Sequence, residues 1–222
     1  NYRIPDLEGF NNTNAFVGEG TLTVTCLDPS AEIHYTTDGS TPTLESPQYK
    51  EPVKVTETTD FTFRTFRPNG KKGDIVKTRF IKSEYAPAAE ATPSKKGLQA
   101  VWHEFRGSAC DEIEKAPVNG TYEISEVTIP AEVKGNIGLV VTGYFNAPED
   151  GIYTFNLLSD DGSTLKVDGE LVVDNDGPHS PREVVGQKAL AKGLHPIEVK
   201  YFDHNGGMLQ MKVLTADGKE LP

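Results

Sequence analysis

No stretch of this chain sustains a 3.6-residue apolar period over several turns. Short runs instead alternate apolar and polar residues, the two-residue period of a strand with one buried face. "TLTVTC", "EIHYTT", "TDFTFRTF", "IVKTRFI", "IGLVVTGYF", "GIYTFNLL", "STLKVDGELVV", "HPIEVKYF" and "MLQMKVL" all read this way. Turn dipeptides separate them: Asp38-Gly39, Asn69-Gly70, Asp150-Gly151, Asp161-Gly162, Asp168-Gly169 and Asp217-Gly218. Many short strands with such turns predict an all-β chain of sandwiches or barrels.

A composition shift divides it. "SEYAPAAEATPSKKG" (83–97) is rich in Ala, Pro, Ser and charge, with Tyr85 as its one large apolar residue. That is linker composition. The expected domains are 1–83, the size of a small immunoglobulin- or fibronectin-like sandwich, and 96–222, with 84–95 as linker. Charge follows the division. Of 22 Lys/Arg and 33 Asp/Glu, the first 83 residues hold ten and eleven. The remainder is strongly acidic, which argues against nucleic acid or an anionic membrane surface and suits a hard cation. No apolar run is long enough to span a bilayer. No targeting segment is visible and the chain starts at Asn1, so the sequence leaves the compartment open.

Cys26 closes the alternation Leu22, Val24, Cys26 and reads as a buried thiol. Cys110 lies in the loop-like "RGSACDE", and a disulfide between the two is not expected. In "EIHYTT", Ile33 and Tyr35 are expected inward, with His34 and Thr36 outward. Asp38 is expected to be a turn residue. Trp102 alternates with Ala100 and Leu98 and reads as core, as does Phe202. One of Tyr144 and Phe145 should be exposed.

The stretches "DPSAEIHYTTDGSTPT" and "FRTFRPNGKKGDIV" make residues 18–82 similar to the small sandwich at the C-terminal side of chitobiases and β-hexosaminidases. The resemblance implies an accessory module without catalytic residues, beside a glycoside hydrolase domain. "NYRIPDLEGF" is then the connector from such a domain.

From "GLQAVWHEF" onward the chain resembles the PA14 domain. The resemblance rests on Ser159-Asp160-Asp161-Gly162, on Lys166-Val167-Asp168-Gly169 and on "GLHPIEVKYF". Nothing between Gly107 and Thr128 resembles the family. In sugar-binding members the paired aspartates are joined by a cis peptide and coordinate calcium. Carried over, both carboxylates of Asp160 and Asp161 reach one ion. The strand end "VKYFDHNGG" supplies Asp203, or Asn205 if the register slips by two. Calcium takes 6–8 oxygens, so backbone carbonyls and water complete the shell. The loop "VDNDGPHSPRE" lies on the same rim and offers Asp174, Asn175 and His179 to a carbohydrate. Asp161-Gly162 is also a plain turn signal, and a structural turn is the alternative.

No catalytic centre is expected. Asp111-Glu112 is a carboxylate pair of the kind glycosidases use. However, it has no barrel strand before it, and a (β/α)₈ barrel needs about 200–250 residues and helices. The expected protein is a non-catalytic accessory region of a secreted, periplasmic or cell-surface bacterial glycoside hydrolase of β-N-acetylhexosaminidase type. Its expected cofactor is calcium. Its expected partners are a glycan, N-acetylhexosamine-containing ones included, and the upstream catalytic domain. The alternatives are a ligand-free spacer or docking unit, and a cell-surface adhesin fragment.

Overall fold

The computed structural model describes residues 7–222. The first six residues of the expected connector lie outside them. The chain forms two compact units, one ending at Glu84 and one running from Tyr85 to Pro222.

The first unit contains strands β1 (Leu7–Glu8), β2 (Thr13–Phe16), β3 (Gly20–Leu22), β4 (Thr25–Cys26), β5 (Glu32–Thr36), β6 (Val53–Val55), β7 (Thr59–Phe66) and β8 (Val76–Lys82). A four-stranded sheet has the order β2-β8-β7-β5, and the pairs β3-β6 and β1-β4 lie beside it. Phe61, Phe63 and Phe80 of the sheet share one core with Leu7, Leu22 and Val55 of the two pairs and with Val24 between β3 and β4. Alternation along each strand makes this core.

Two expectations fail here. His34 is buried rather than exposed. The returning segment at Pro47–Tyr49 hydrogen-bonds to Ile33 and Tyr35 and covers the outer side of β5. The imidazole sits between the Ser46 carbonyl (Nδ1, 2.7 Å) and the Glu32 carboxylate (Nε2, 2.9 Å), edge-on to Phe66. Cys26 is only half-buried at the margin of the core, because β4 is a two-residue strand. Asp38 behaves as a turn residue, accepting the Ser40 N–H at 3.0 Å.

The second unit contains β9 (Leu98–Glu104), a 3₁₀ turn (Cys110–Lys115), β10 (Val118–Ile124), β11 (Ile137–Ala147), β12 (Gly151–Asp160), β13 (Ser163–Val167), β14 (Glu170–Asn175), β15 (Arg182–Leu190), β16 (Gly193–Asp203) and β17 (Met208–Leu214). A six-stranded sheet, β10-β9-β11-β16-β13-β14, faces a three-stranded one, β15-β12-β17, and all neighbours are antiparallel. Leu139, Val141, Leu165, Val199 and Tyr201 of the first pack against Tyr153, Phe155, Leu157 and Leu209 of the second. The stretch without family resemblance covers the back of the six-stranded sheet. There Cys110 and Ile113 join Phe105, Val140 and Phe202 in a small second core. Both cysteines are free thiols.

The motif pieces are interlocked. Asp168 and Gly169 both have positive φ (53° and 78°), as a two-residue hairpin turn requires. The Asp168 carboxylate sits 2.9 Å from Nδ1 of His195, which is wholly buried, and His195 Nε2 reaches the Ala191 carbonyl at 2.7 Å. The "KVDG" and "GLH" motifs are therefore two ends of one contact.

The expected linker is only partly a linker. Ala86 exchanges hydrogen bonds with Ala189 and Ala191, and the Ala89 N–H donates to Leu194. Composition predicts a loose segment because alanine and proline carry no large side chains. The backbone groups nevertheless find partners on β15 and β16. The exposed part is 92–97. Trypsin is expected to cut first after Lys95 or Lys96. Gel and mass analysis of a time course checks this, and an earlier cut within 140–175 would contradict it.

Candidate metal and ligand site

The carboxylates meet at one end of the second unit. Asp160 ends β12 and stands opposite Met208, the first residue of β17. Asp203 ends β16, and the loop 204–207 carries the chain from one sheet to the other. The strand register therefore brings Asp203 back beside Asp160. The Asp160–Asp161 peptide bond is cis. One carboxylate oxygen from each of Asp160, Asp161 and Asp203 lies within 4.8 Å of the others.

Each partner is held from outside the cluster. Asp203, 3% exposed, accepts on Oδ2 the N–H groups of Asn205 (3.0 Å) and Gly207 (2.8 Å). Asp161 accepts the His179 N–H on Oδ1 at 2.9 Å. Each of these two carboxylates thus has one oxygen held by backbone and a second oxygen left over. The Asp160 backbone carbonyl accepts the Tyr201 hydroxyl at 2.7 Å. Gly207 packs directly against that carbonyl, and a Cβ there would lie 1.8 Å from the Asp160 oxygen.

A buried polar network underlies the turn. The Ser159 hydroxyl donates to the Asp161 carbonyl (2.7 Å) and meets the Ser163 hydroxyl at 2.6 Å. The Asn175 amide donates to Ser159 Oγ (3.1 Å) and to the Arg182 carbonyl (3.0 Å), while its oxygen accepts Arg182 Nε (2.7 Å). A network of this kind, fully satisfied, fixes one geometry. Gly162 completes it, since a Cβ there would strike the Phe202 ring at 2.4 Å.

The electrostatics are one-sided. The Asp160 carboxyl is pushed above the usual carboxylate range by desolvation, then by the charges of Asp161 and Asp203, with His179 opposing weakly. Burial, followed by the same three aspartates, also raises the Tyr201 phenol. Carboxylate oxygens at this spacing suit a hard cation such as calcium. Zinc prefers nitrogen and sulfur ligands, and the cluster offers neither.

The sequence-predicted residues thus divide. Asp160, Asp161 and Asp203 come together. Asn205 is exposed and gives the cluster its backbone N–H. Asn175 is wholly buried with both ends of its amide engaged, so it holds the rim instead of facing a ligand. The ring nitrogens of His179 face the Ser180 and Asn175 carbonyls, both at 2.8 Å, which closes the loop on itself. Asp174 is exposed and accepts the Asp176 N–H at 3.2 Å. Asp176, which reads from sequence as part of the D-x-D-G rim loop, accepts the Cys110 N–H at 3.0 Å and ties that loop to the 3₁₀ turn. Ser159 is part of the sequence motif, but its supporting role, like Ser163 and Gly207 altogether, was missed. Of Tyr144 and Phe145, Tyr144 is the exposed one (42%), and it lines a shallow depression with Lys166 and Glu198 that shares no residue with the cluster. Trp102 is half-buried against the main core.

The chain belongs to the PA14 domain family, whose model matches residues 94–220. Residues 12–78 match the chitobiase/beta-hexosaminidase C-terminal domain. A beta-hexosaminidase of Porphyromonas gingivalis is 28% identical over 221 residues, covering 89% of this chain and 27% of that protein. The chain therefore spans about a quarter of the length of this curated relative. Two solved structures resemble the second unit. The PA14 domain of the MpAFP antifreeze protein has TM-score 0.51 at 15% identity, covering 60% of this chain and 90% of that one. The PA14 sugar-binding domain of an RTX adhesin has TM-score 0.50 at 17% identity, covering 58% and 94%.

Proposed function

We propose that this chain is the calcium-dependent, glycan-binding accessory region of a hexosaminidase-like glycoside hydrolase. The single observation that carries the reading is the convergence of Asp160, Asp161 and Asp203, with their oxygens within 4.8 Å of one another. The domain pair supports it, since the second family model is named for hexosaminidases and the curated relative is one. The adhesin neighbour, described as sugar-binding, supports the ligand class.

In this reading the three aspartates hold the ion, and Asp203 is pre-aimed by its two backbone N–H bonds. A calcium ion held by these three carboxylates would take about 6–8 oxygens, so sugar hydroxyls could join them as hard oxygen ligands. The side chains of Asn175, Ser159 and Ser163 keep the rim in shape, and Asp174 and Arg182 flank the loop between β14 and β15. Hydrolysis belongs to another part of the parent protein. The described residues form two β-sandwich units, and Asp111 and Glu112 are exposed on a six-residue 3₁₀ turn. Among the described residues no helix is long and apolar enough to cross a membrane. The proposed setting is the periplasm, the cell surface or the medium of a bacterium, where free calcium is available.

The test is a glycan array with the intact chain in calcium and in EDTA. Retention on N-acetylhexosamine-bearing glycans is expected in calcium only. Binding that persists unchanged in EDTA would remove calcium from the reading, and no binding to any glycan would favour the spacer reading.

A further inference from the structure

We propose that Asn205-Gly206 is a self-modification site, whose deamidation in the folded protein loosens the clamp on Asp203. The chain contains three Asn-Gly pairs. The reaction needs an exposed asparagine, a following residue without a Cβ, and a following backbone nitrogen free to attack.

At Asn69-Gly70 the nitrogen is tied up. The Gly70 N–H donates to the Arg67 carbonyl at 3.0 Å, and Asn69 Oδ1 accepts the Lys71 N–H at 3.0 Å. At Asn119-Gly120 the register of β10 shifts between Val118 and Gly120, but Gly120 is held in the ladder opposite Trp102 with the Tyr122 side chain packed against it. A glycine pinned in a sheet has less freedom to attack than one in an open loop. Asn205 and Gly206 are both exposed in the loop between β16 and β17. Among the described residues, the N–H groups on either side, of Asn205 and Gly207, are bound to Asp203, while that of Gly206 has no partner. Gly206 has φ +82°, with nothing within 4 Å of where a Cβ would stand. The fold thus pins the loop around one free nitrogen.

The chemistry balances with water as the only co-reactant. Solvent base removes the Gly206 amide proton, and the nitrogen attacks Asn205 Cγ. The N–Cγ bond forms, the Cγ–Nδ2 bond breaks, and ammonia leaves with a solvent proton. Water opens the resulting succinimide at Cγ to give aspartate, or at the backbone carbonyl to give isoaspartate. Nothing is oxidised or reduced. Isoaspartate adds a methylene to the main chain between the two N–H groups that hold Asp203 Oδ2. Gly207 has no slack, since it already packs on the Asp160 carbonyl. The added length therefore moves the Gly207 N–H off Asp203.

The consequence for ligand binding rests on the calcium reading, but the modification does not. The experiment ages the full chain in mildly alkaline buffer, folded and in urea, and maps the peptides by mass with isoaspartyl methyltransferase labelling. In the folded chain Asn205 should convert roughly ten-fold or more faster than Asn69 and Asn119, because local structure protects those two. In urea the three should converge. Amide exchange at Gly207 should then be roughly ten-fold faster in converted protein, and Asn205→Gln should show neither change. Equal conversion at the three sites in the folded state would overturn the proposal, as would conversion that leaves Gly207 exchange unaltered. Selective conversion with no calcium binding at any age would sink the proposed function and leave this inference standing.

Discussion

Saturating calcium should raise the melting temperature of the second unit by roughly 8 °C, and the Asp160→Asn/Asp203→Asn double variant should lose that rise. Extracellular calcium modules bind with Kd of about 10⁻⁴–10⁻³ M. At roughly 100 times Kd, binding to the folded state alone adds about 2.7 kcal/mol, and a unit of this size gains about 3 °C per kcal/mol. Asparagine is the informative substitution. It keeps an oxygen acceptor for the Asn205 and Gly207 N–H groups at nearly the same volume, while removing the charge and one ligand oxygen. The sign of the metal-free effect follows from the raised Asp160 carboxyl. An acid whose folded pKa lies above its unfolded value costs stability once ionised, so the cost grows as pH rises through that range. Removing charge should therefore leave the metal-free variant as stable as the parent or slightly more so. Magnesium should not substitute, because it demands tighter octahedral geometry. Calorimetry with calcium, magnesium and EDTA measures all of this. An undiminished calcium response in the double variant would remove these aspartates from the site.

Phe155→Ala and Phe63→Ala should each destabilise by about 3–5 kcal/mol, each in its own unit. Both side chains are wholly buried. Phe155 sits in β12, the middle strand of the three-stranded sheet, with the Phe145 ring edge-on at 5.5 Å. Phe63 stacks on Phe10 at 5.3 Å and lies beside Phe61 in the first core. Alanine leaves a cavity that neither rigid β-core can collapse to fill. Calorimetry should resolve two transitions, with Phe155→Ala lowering one and Phe63→Ala the other. A single transition lowered by both variants would show that the two cores melt together.

Much of the candidate site was legible because its signals are local. Asp160 and Asp161 stand where an apolar strand ends, and Asp203 stands at the end of "HPIEVKYF". Strand period marks those ends; that the carboxylates belong together was what the resemblance to the PA14 domain implied. The residues that hold the site carried no comparable signal. Gly207 is one of many loop glycines in the sequence, and only its approach to the Asp160 carbonyl sets it apart. Asn175 read as a loop asparagine on the rim. It is buried because β14 carries it under the turn, where Ser159, Ser163 and Arg182 meet it.

The sequence by itself determined the all-β class and the two-unit division, and its motifs pointed to Asp160 and Asp161 with Asp203 or Asn205 left open. Each of these depends on residues within a few positions of one another, where sterics and alternation decide. The tertiary structure alone decided what covers what. His34 is buried by a segment that folds back over β5, and residues 86–89 are strapped to β15 and β16 through backbone groups that every residue possesses. Tyr201 reaches the Asp160 carbonyl across 41 residues of chain. Asp168 and His195 meet across 27. Contacts of this kind are fixed by which strands pair and in which register, and a register is a property of two distant segments together.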